Sequence, residues 1–142
     1  MEAYLLFLHT AHDLFDVLHA YMAEFGLSDG KMGILLQLCH VPERFLTPSA
    51  LADNLGITRG TVTGLLDGLE RDGLVERVAH PEDRRMLMIR LTDKGFDLLE
   101  RMLPAHFRRI DGIMGSLTMD EKEQMISLLE KMHSALYMLN YV

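Results

Sequence analysis

Cysteine is almost missing from this chain. Cys39 stands alone among 142 residues, so no disulfide can close within the chain, and such usage fits a reducing cytoplasm. Positive charge is scarce too: 14 Lys and Arg stand against 21 Asp and Glu, a net charge of −7. Overall charge therefore does not single out a polyanion as the partner. No apolar run reaches the roughly eighteen residues a bilayer span requires, so no membrane partner is expected. The apolar N-terminal stretch has no basic lead and holds Glu2, His9, His12, Asp13 and Asp16, which is not the pattern of a secretion signal. Linkers rich in Pro, Gly or Ser, low-complexity segments and internal repeats are missing, so residues 1–142 read as one domain-sized chain. Enzyme signatures are missing as well: no nucleophile motif, phosphate-cradling glycine loop, HExxH or paired-carboxylate pattern occurs. The chain reads as a non-enzyme with no catalytic residue, no metal and no cofactor.

What is present is concentrated between Thr47 and Thr92, in LADNLGITRGTVTGLLDGLERDGLVERVAHPEDRRMLMIRLT and its flanks. Thr47 is suited to cap a helix, and Pro48 suits the first helical position because its missing N–H costs nothing there. Leu51 and Leu55 share a face, Gly56 permits a left-handed turn, and Thr58 is a second N-cap. Val62, Leu65, Leu66 and Leu69 then recur at helical spacing and face inward. Arg59, Gly60, Thr61, Thr63, Gly64 and Asp67 stand free on the opposite face. Gly73 ends the helix, and the period changes to that of strands at Leu74–Val78 and Met86–Leu91. His80-Pro81-Glu82-Asp83 is turn chemistry, giving a hairpin with its tip at Glu82 to Arg85. A helix-turn-helix running into a hairpin tipped by Asp83, Arg84 and Arg85 is a winged helix-turn-helix. That shape suits duplex DNA, with the second helix in the major groove and the tip at a neighbouring groove or phosphate. The fold class is mostly α with a small β-hairpin wing.

With these motifs, LADNLGITRGTVTGLLDGLERDGLVER followed by HPEDRRMLMIRLTDKG, the chain resembles the MarR family of winged-helix transcription regulators. GLSDGKMGILLQL matches that family's usual second helix, and the likeness covers essentially the whole chain. The resemblance implies a sequence-specific regulator, a repressor, acting as a homodimer on a palindromic operator in double-stranded DNA. It places residues 29–92 in the DNA-binding lobe and residues 1–28 and 93–142 in a helical dimerisation region. Its wing pattern gives Arg85 the groove contact, with Asp83 fixing the guanidinium from behind and Arg84 as the neighbouring alternative. Many relatives carry arginines where this chain has Gly64 and Gly68. Thr58, Arg59, Gly60, Thr61, Thr63 and Gly64 therefore become the expected contact surface, closely approached rather than reached by long side chains. A winged-helix adaptor for protein contact, without DNA binding, is the alternative function.

The apolar content of 49% is high for a helical monomer, and it has an address. From Glu2 to Glu24, His9, His12, Asp13, Asp16 and His19 occupy an arc of roughly 120°. Leu6, Phe7, Leu14 and other apolar residues through Tyr21 and Met22 fill roughly 200°, more than one buried face requires. Toward the end of the chain Met125, Leu128, Leu129, Met132, Leu136 and Leu139 recur at helical spacing, behind a capping box of Thr118 and Glu121. Both segments read as dimerisation surfaces, with bundling inside the monomer as the alternative. Asp93 to about Ser116 forms a helix that Pro104 should bend.

Three features admit sensing roles that the resemblance suggests. The His9, His12, Asp13, Asp16 and His19 stripe has ligand chemistry and equally reads as a solvated face. Cys39 follows the apolar ILLQL and reads as structural, whereas a thiol sensor would be exposed. The methionines, including Met102, Met114, Met119, Met125, Met132 and Met138, read as adaptable core filler. They also suit a pocket for a small lipophilic or phenolic effector.

Overall fold

Caps and breakers divide the chain where the local chemistry places them. The computed structural model describes residues 1–139; residues 140–142, the end of the expected 93–142 region, lie outside the described residues. Along the chain run α1 (Glu2–Ala23), α2 (Asp29–His40), β1 (Phe45–Leu46), α3 (Pro48–Leu55), α4 (Arg59–Arg71), β2 (Val75–Ala79), β3 (Leu87–Leu91), α5 (Asp93–Met114) and α6 (Met119–Leu139). Residues through His106 form one compact unit and those from Phe107 onward a second.

Within the first unit, Ser28, Thr47 and Thr58 each cap a helix by accepting an N–H three residues on, from Lys31, Ala50 and Thr61. The helix α4 ends as its sequence requires. Gly73 N donates to Glu70 O and Leu74 N to Leu69 O, both at 2.9 Å, with Gly73 at φ 72°. This closure satisfies two terminal carbonyls and needs a residue that tolerates the left-handed region. It also turns the chain directly into β2.

The sheet holds one strand that the sequence period does not reveal. Among the described residues it is three-stranded and antiparallel, in the order β1-β3-β2. The two-residue β1 is too short to display any alternation; it exists because Phe45 and Leu46 pair with Arg90 and Ile89. The central β3 is buried at Met88, Ile89 and Leu91 and exposed at Leu87 and Arg90. Ile34, Leu35 and Leu38 of α2, Leu51 of α3, Val62, Leu66 and Leu69 of α4, Ile89, and Leu99 and Met102 of α5 form a nearly sealed core. Leu65 is half-buried at its margin.

The Leu91-Thr92-x-x-Gly95 lead-in to α5 has a physical reading. Thr92 Oγ1 donates to Gly73 O at 2.7 Å and accepts from Gly95 N at 3.0 Å, so one hydroxyl ties the end of α4 to the start of α5. Gly95 lies against Leu74 O and the Leu91 side chain so closely that a Cβ would collide with both. Pro104 stands inside α5, which therefore lacks the hydrogen bond its N–H would donate. Nearby, Tyr21 Oη donates to Met102 O at 3.0 Å, so the C-terminal end of α1 belongs to the core and not to a free surface.

In the second unit α6 begins with the expected reciprocal cap. Thr118 N donates to Glu121 Oε2 at 2.7 Å, and Glu121 N to Thr118 Oγ1 at 3.3 Å. None of its described residues is buried. The methionines do not act as a class: Met102 is sealed and Met114 half-buried, whereas Met119, Met125, Met132 and Met138 are exposed.

Candidate nucleic-acid interface

Helix α4 presents a shallow face. Thr58, Arg59, Gly60, Thr61, Thr63 and Gly64 are all exposed, on the side away from buried Val62, Leu66 and Leu69. A Cβ added at Gly64 meets nothing within 4 Å, and one at Gly60 meets only Thr58 Oγ1 at 4.0 Å. These glycines are thus not required by the packing of the fold. Three hydroxyls are already committed: Thr58 Oγ1 and Thr61 Oγ1 lie 2.8 Å apart, and Thr63 Oγ1 donates to Arg59 O at 3.0 Å. Thr63 therefore offers lone pairs outward, and its methyl, rather than a free proton.

The wing is a hairpin between β2 and β3, closed by His80 N donating to Met86 O at 2.9 Å. Its hydrogen-bonded turn spans Asp83–Met86, with Met86 N donating to Asp83 O at 3.0 Å. The turn thus lies beyond the His80–Asp83 segment that Pro81 suggested. Asp83 at its first position outcompetes the proline because its carboxylate supplies a second closure. Asp83 Oδ1 accepts from Arg85 N at 3.0 Å and from Arg85 Nε at 3.2 Å. That holds the arginine by its stem side and leaves the terminal nitrogens outward, with the side chain 90% exposed. Arg84 is also exposed at the tip.

Sequence reasoning missed the tie between these two elements. Asp67, expected to stand free on the outer face of α4, accepts from Arg77 Nη2 at 2.7 Å, and Glu70 accepts from Arg77 Nη1 at 2.8 Å. The hydrogen bond to Asp67, with the attraction of both carboxylates, raises the Arg77 pKa above its ordinary value, against a smaller opposing effect of burial. A signal existed: Arg77 lies two residues from buried Val75 and so shares its face of β2, while Asp67 and Glu70 are three apart on α4. On the other face Arg90 pairs across the sheet with Glu76.

Other sequence candidates separate. His12 pairs with Asp16 at 3.4 Å on the exposed stripe, while His19 turns to Asp29 of α2 at 3.2 Å. Among the described residues no three His, Cys, Asp or Glu side chains gather as metal ligands. Cys39 is half-buried and packs on the core. Leu6, Phe7 and Leu14 on α1, and Met125, Leu128, Met132, Leu136 and Leu139 on α6, are exposed, whereas Leu129 is half-buried.

A profile of the MarR family matches residues 25–86, the segment that builds α2 through the wing. The HTH-type transcriptional repressor YetL of Bacillus subtilis is 39% identical over 129 residues, covering 91% of this chain and 77% of that protein. The chain belongs to the MarR family. The chain is also similar to the Escherichia coli transcriptional repressor MprA, 28% identical over 92% of this chain and 74% of that protein's length. Two solved relatives are held in DNA complexes. The MarR family transcriptional regulator Sco3205 of Streptomyces coelicolor superposes with a TM-score of 0.84 at 26% identity, over 94% of this chain and 85% of its own. The MepR–DNA complex of S. aureus gives 0.79 at 28% identity, over 92% and 94%. The mostly helical winged fold and the role of DNA-binding transcription regulator follow, and the adaptor reading is not favoured. No described helix is long and apolar enough to cross a membrane.

Proposed function

We propose that this MarR family chain is a homodimeric repressor that binds a palindromic operator through residues 29–92 and pairs through the helical regions on either side. The observation that carries the reading is the wing tip: Asp83 grips Arg85 from behind and leaves its terminal guanidinium nitrogens exposed for a groove. On α4, Gly60 and Gly64 keep the surface low, so that Thr61, Thr63 and Arg59 meet the duplex by close approach. Few cations are needed locally, because counterion release depends on the phosphates actually contacted and not on the charge of the whole chain.

Pairing is supported by apolar surface that a soluble monomer would not leave in water. Leu6 on α1 is 65% exposed and Leu136 on α6 57%, each among exposed apolar neighbours. Two lobes joined rigidly bind as one unit, which offsets the modest contact set of each. An effector reading is supported by a cavity of about 270 Å³ lined by Phe15, Leu18, Met22, Met32, Leu36 and His106, with Asp29 and Gly33 completing it. Its mixed apolar wall and single carboxylate suit a small lipophilic or phenolic molecule.

Selection of bound duplexes from a random pool tests the reading. It should recover imperfect palindromes with half-site centres about one helical turn, roughly 10 base pairs, apart. Recovery of unrelated sequences, or of single half-sites bound as tightly as pairs, would contradict it.

A further inference from the structure

Arg77, in β2, lies outside both the wing tip and the exposed face of α4. Among the described residues it is nevertheless the one strand residue that grips α4, the recognition helix of the proposed DNA interface, by two charge-assisted bonds, at 2.7 Å to Asp67 and 2.8 Å to Glu70. Both guanidinium ends are thereby occupied, and its side chain is only 26% exposed against 55% for Asp67 and 43% for Glu70. Its backbone is in register with sealed Ile89 of β3, so the grip fixes the base of the whole hairpin and not one strand alone. From Arg77 to Asp83 the chain can span up to about 20 Å, at roughly 3.3 Å per residue. A rotation of about 10° at the base would therefore move Arg85 by about 3 Å, enough to break a hydrogen bond to DNA. The planar guanidinium matters here, because donors on its two terminal nitrogens held by two different carboxylates fix an angle as well as a distance.

We propose that Arg77 is a positioning residue, which through Asp67 and Glu70 sets the angle between wing and recognition helix so that both engage one duplex. The inference rests on the wing reading above and adds to it the part that aims the wing. It also reverses the expected sign of a charge effect. By charge alone, removing two carboxylates beside a DNA-binding surface strengthens binding. If they anchor the wing, removing them weakens it.

The test uses the full-length protein and a duplex selected by the wild type from a random pool. Asp67→Asn with Glu70→Gln, both isosteric and on exposed helix surface, should leave thermal unfolding nearly unchanged and weaken binding about tenfold, the loss expected for one good contact. In the wild-type background Arg85→Ala should also cost about tenfold, and in the Asn/Gln background less than about threefold, because a wing already out of place has little left to lose. Binding by the Asn/Gln protein at or above wild-type affinity would overturn the inference, and so would two losses that simply multiply. Failure of the wing reading itself would show separately, as an Arg85→Ala protein of unchanged affinity in the wild-type background, and it would remove the positioning role with it.

Discussion

Replacing Gly64 with leucine separates what the recognition helix needs in order to fold from what it needs in order to bind. The position is exposed within α4, and a Cβ there meets nothing within 4 Å. The folded protein should therefore accept the side chain without strain. Glycine inside a helix costs roughly 1 kcal/mol relative to good helix formers, so the variant should be more stable by up to about that amount. For a chain of this size the melting temperature should rise by roughly 2–4 °C. Binding should move the other way. A leucine on the face that approaches the bases would hold the helix away and cost at least two base-edge contacts, worth about 1 kcal/mol or more each. That is a loss of about 2 kcal/mol, or roughly thirtyfold, in a fluorescence titration with a selected operator. A Gly64→Leu protein that melts higher and binds as the wild type does would show that this face stays out of the groove. One that melts lower would refute the reading of the space around Gly64.

Gly95→Ala should act in the opposite sense, since its Cβ would collide with Leu74 O and Leu91; an overpacking cost of roughly 1–3 kcal/mol should appear as a lower melting temperature, and an unchanged one would contradict the packing described. Leu136→Asp, at an exposed apolar site on α6, should leave the winged lobe folded, convert a dimer to a monomer in sedimentation at micromolar concentration, and abolish tight operator binding. A wild-type protein that sediments as a monomer and still binds tightly would remove the dimer from the account.

Features closed by hydrogen bonds within a few residues were legible in the sequence. Thr47, Thr58 and the Thr118–Glu121 box cap the helices expected of them, Gly73 takes the left-handed turn, and Asp83 holds Arg85. The caps and the Asp83 grip act over two or three positions and Gly73 acts through its lack of a Cβ, which a sequence displays directly. Features that depend on distant partners were not. The strand β1 exists only because β3 pairs with it, and two residues cannot show a period. Asp67 looked free because Arg77 lies ten positions away on another element, and the stripe on α1 divides because His19 finds Asp29 of α2. The hairpin turn is an intermediate case: Pro81 and Asp83 both favour turns, and only the closing bonds show that Asp83 sets it.

The central claim is that the wing grips DNA through Arg85, and a salt titration of Arg85→Ala tests it most directly. Operator affinity measured across a range of salt concentrations gives a slope that counts the phosphate-class contacts. The account predicts weaker binding to every sequence and a slope flattened by roughly one unit for each wing engaged. Affinity and slope both equal to those of the wild type would contradict it.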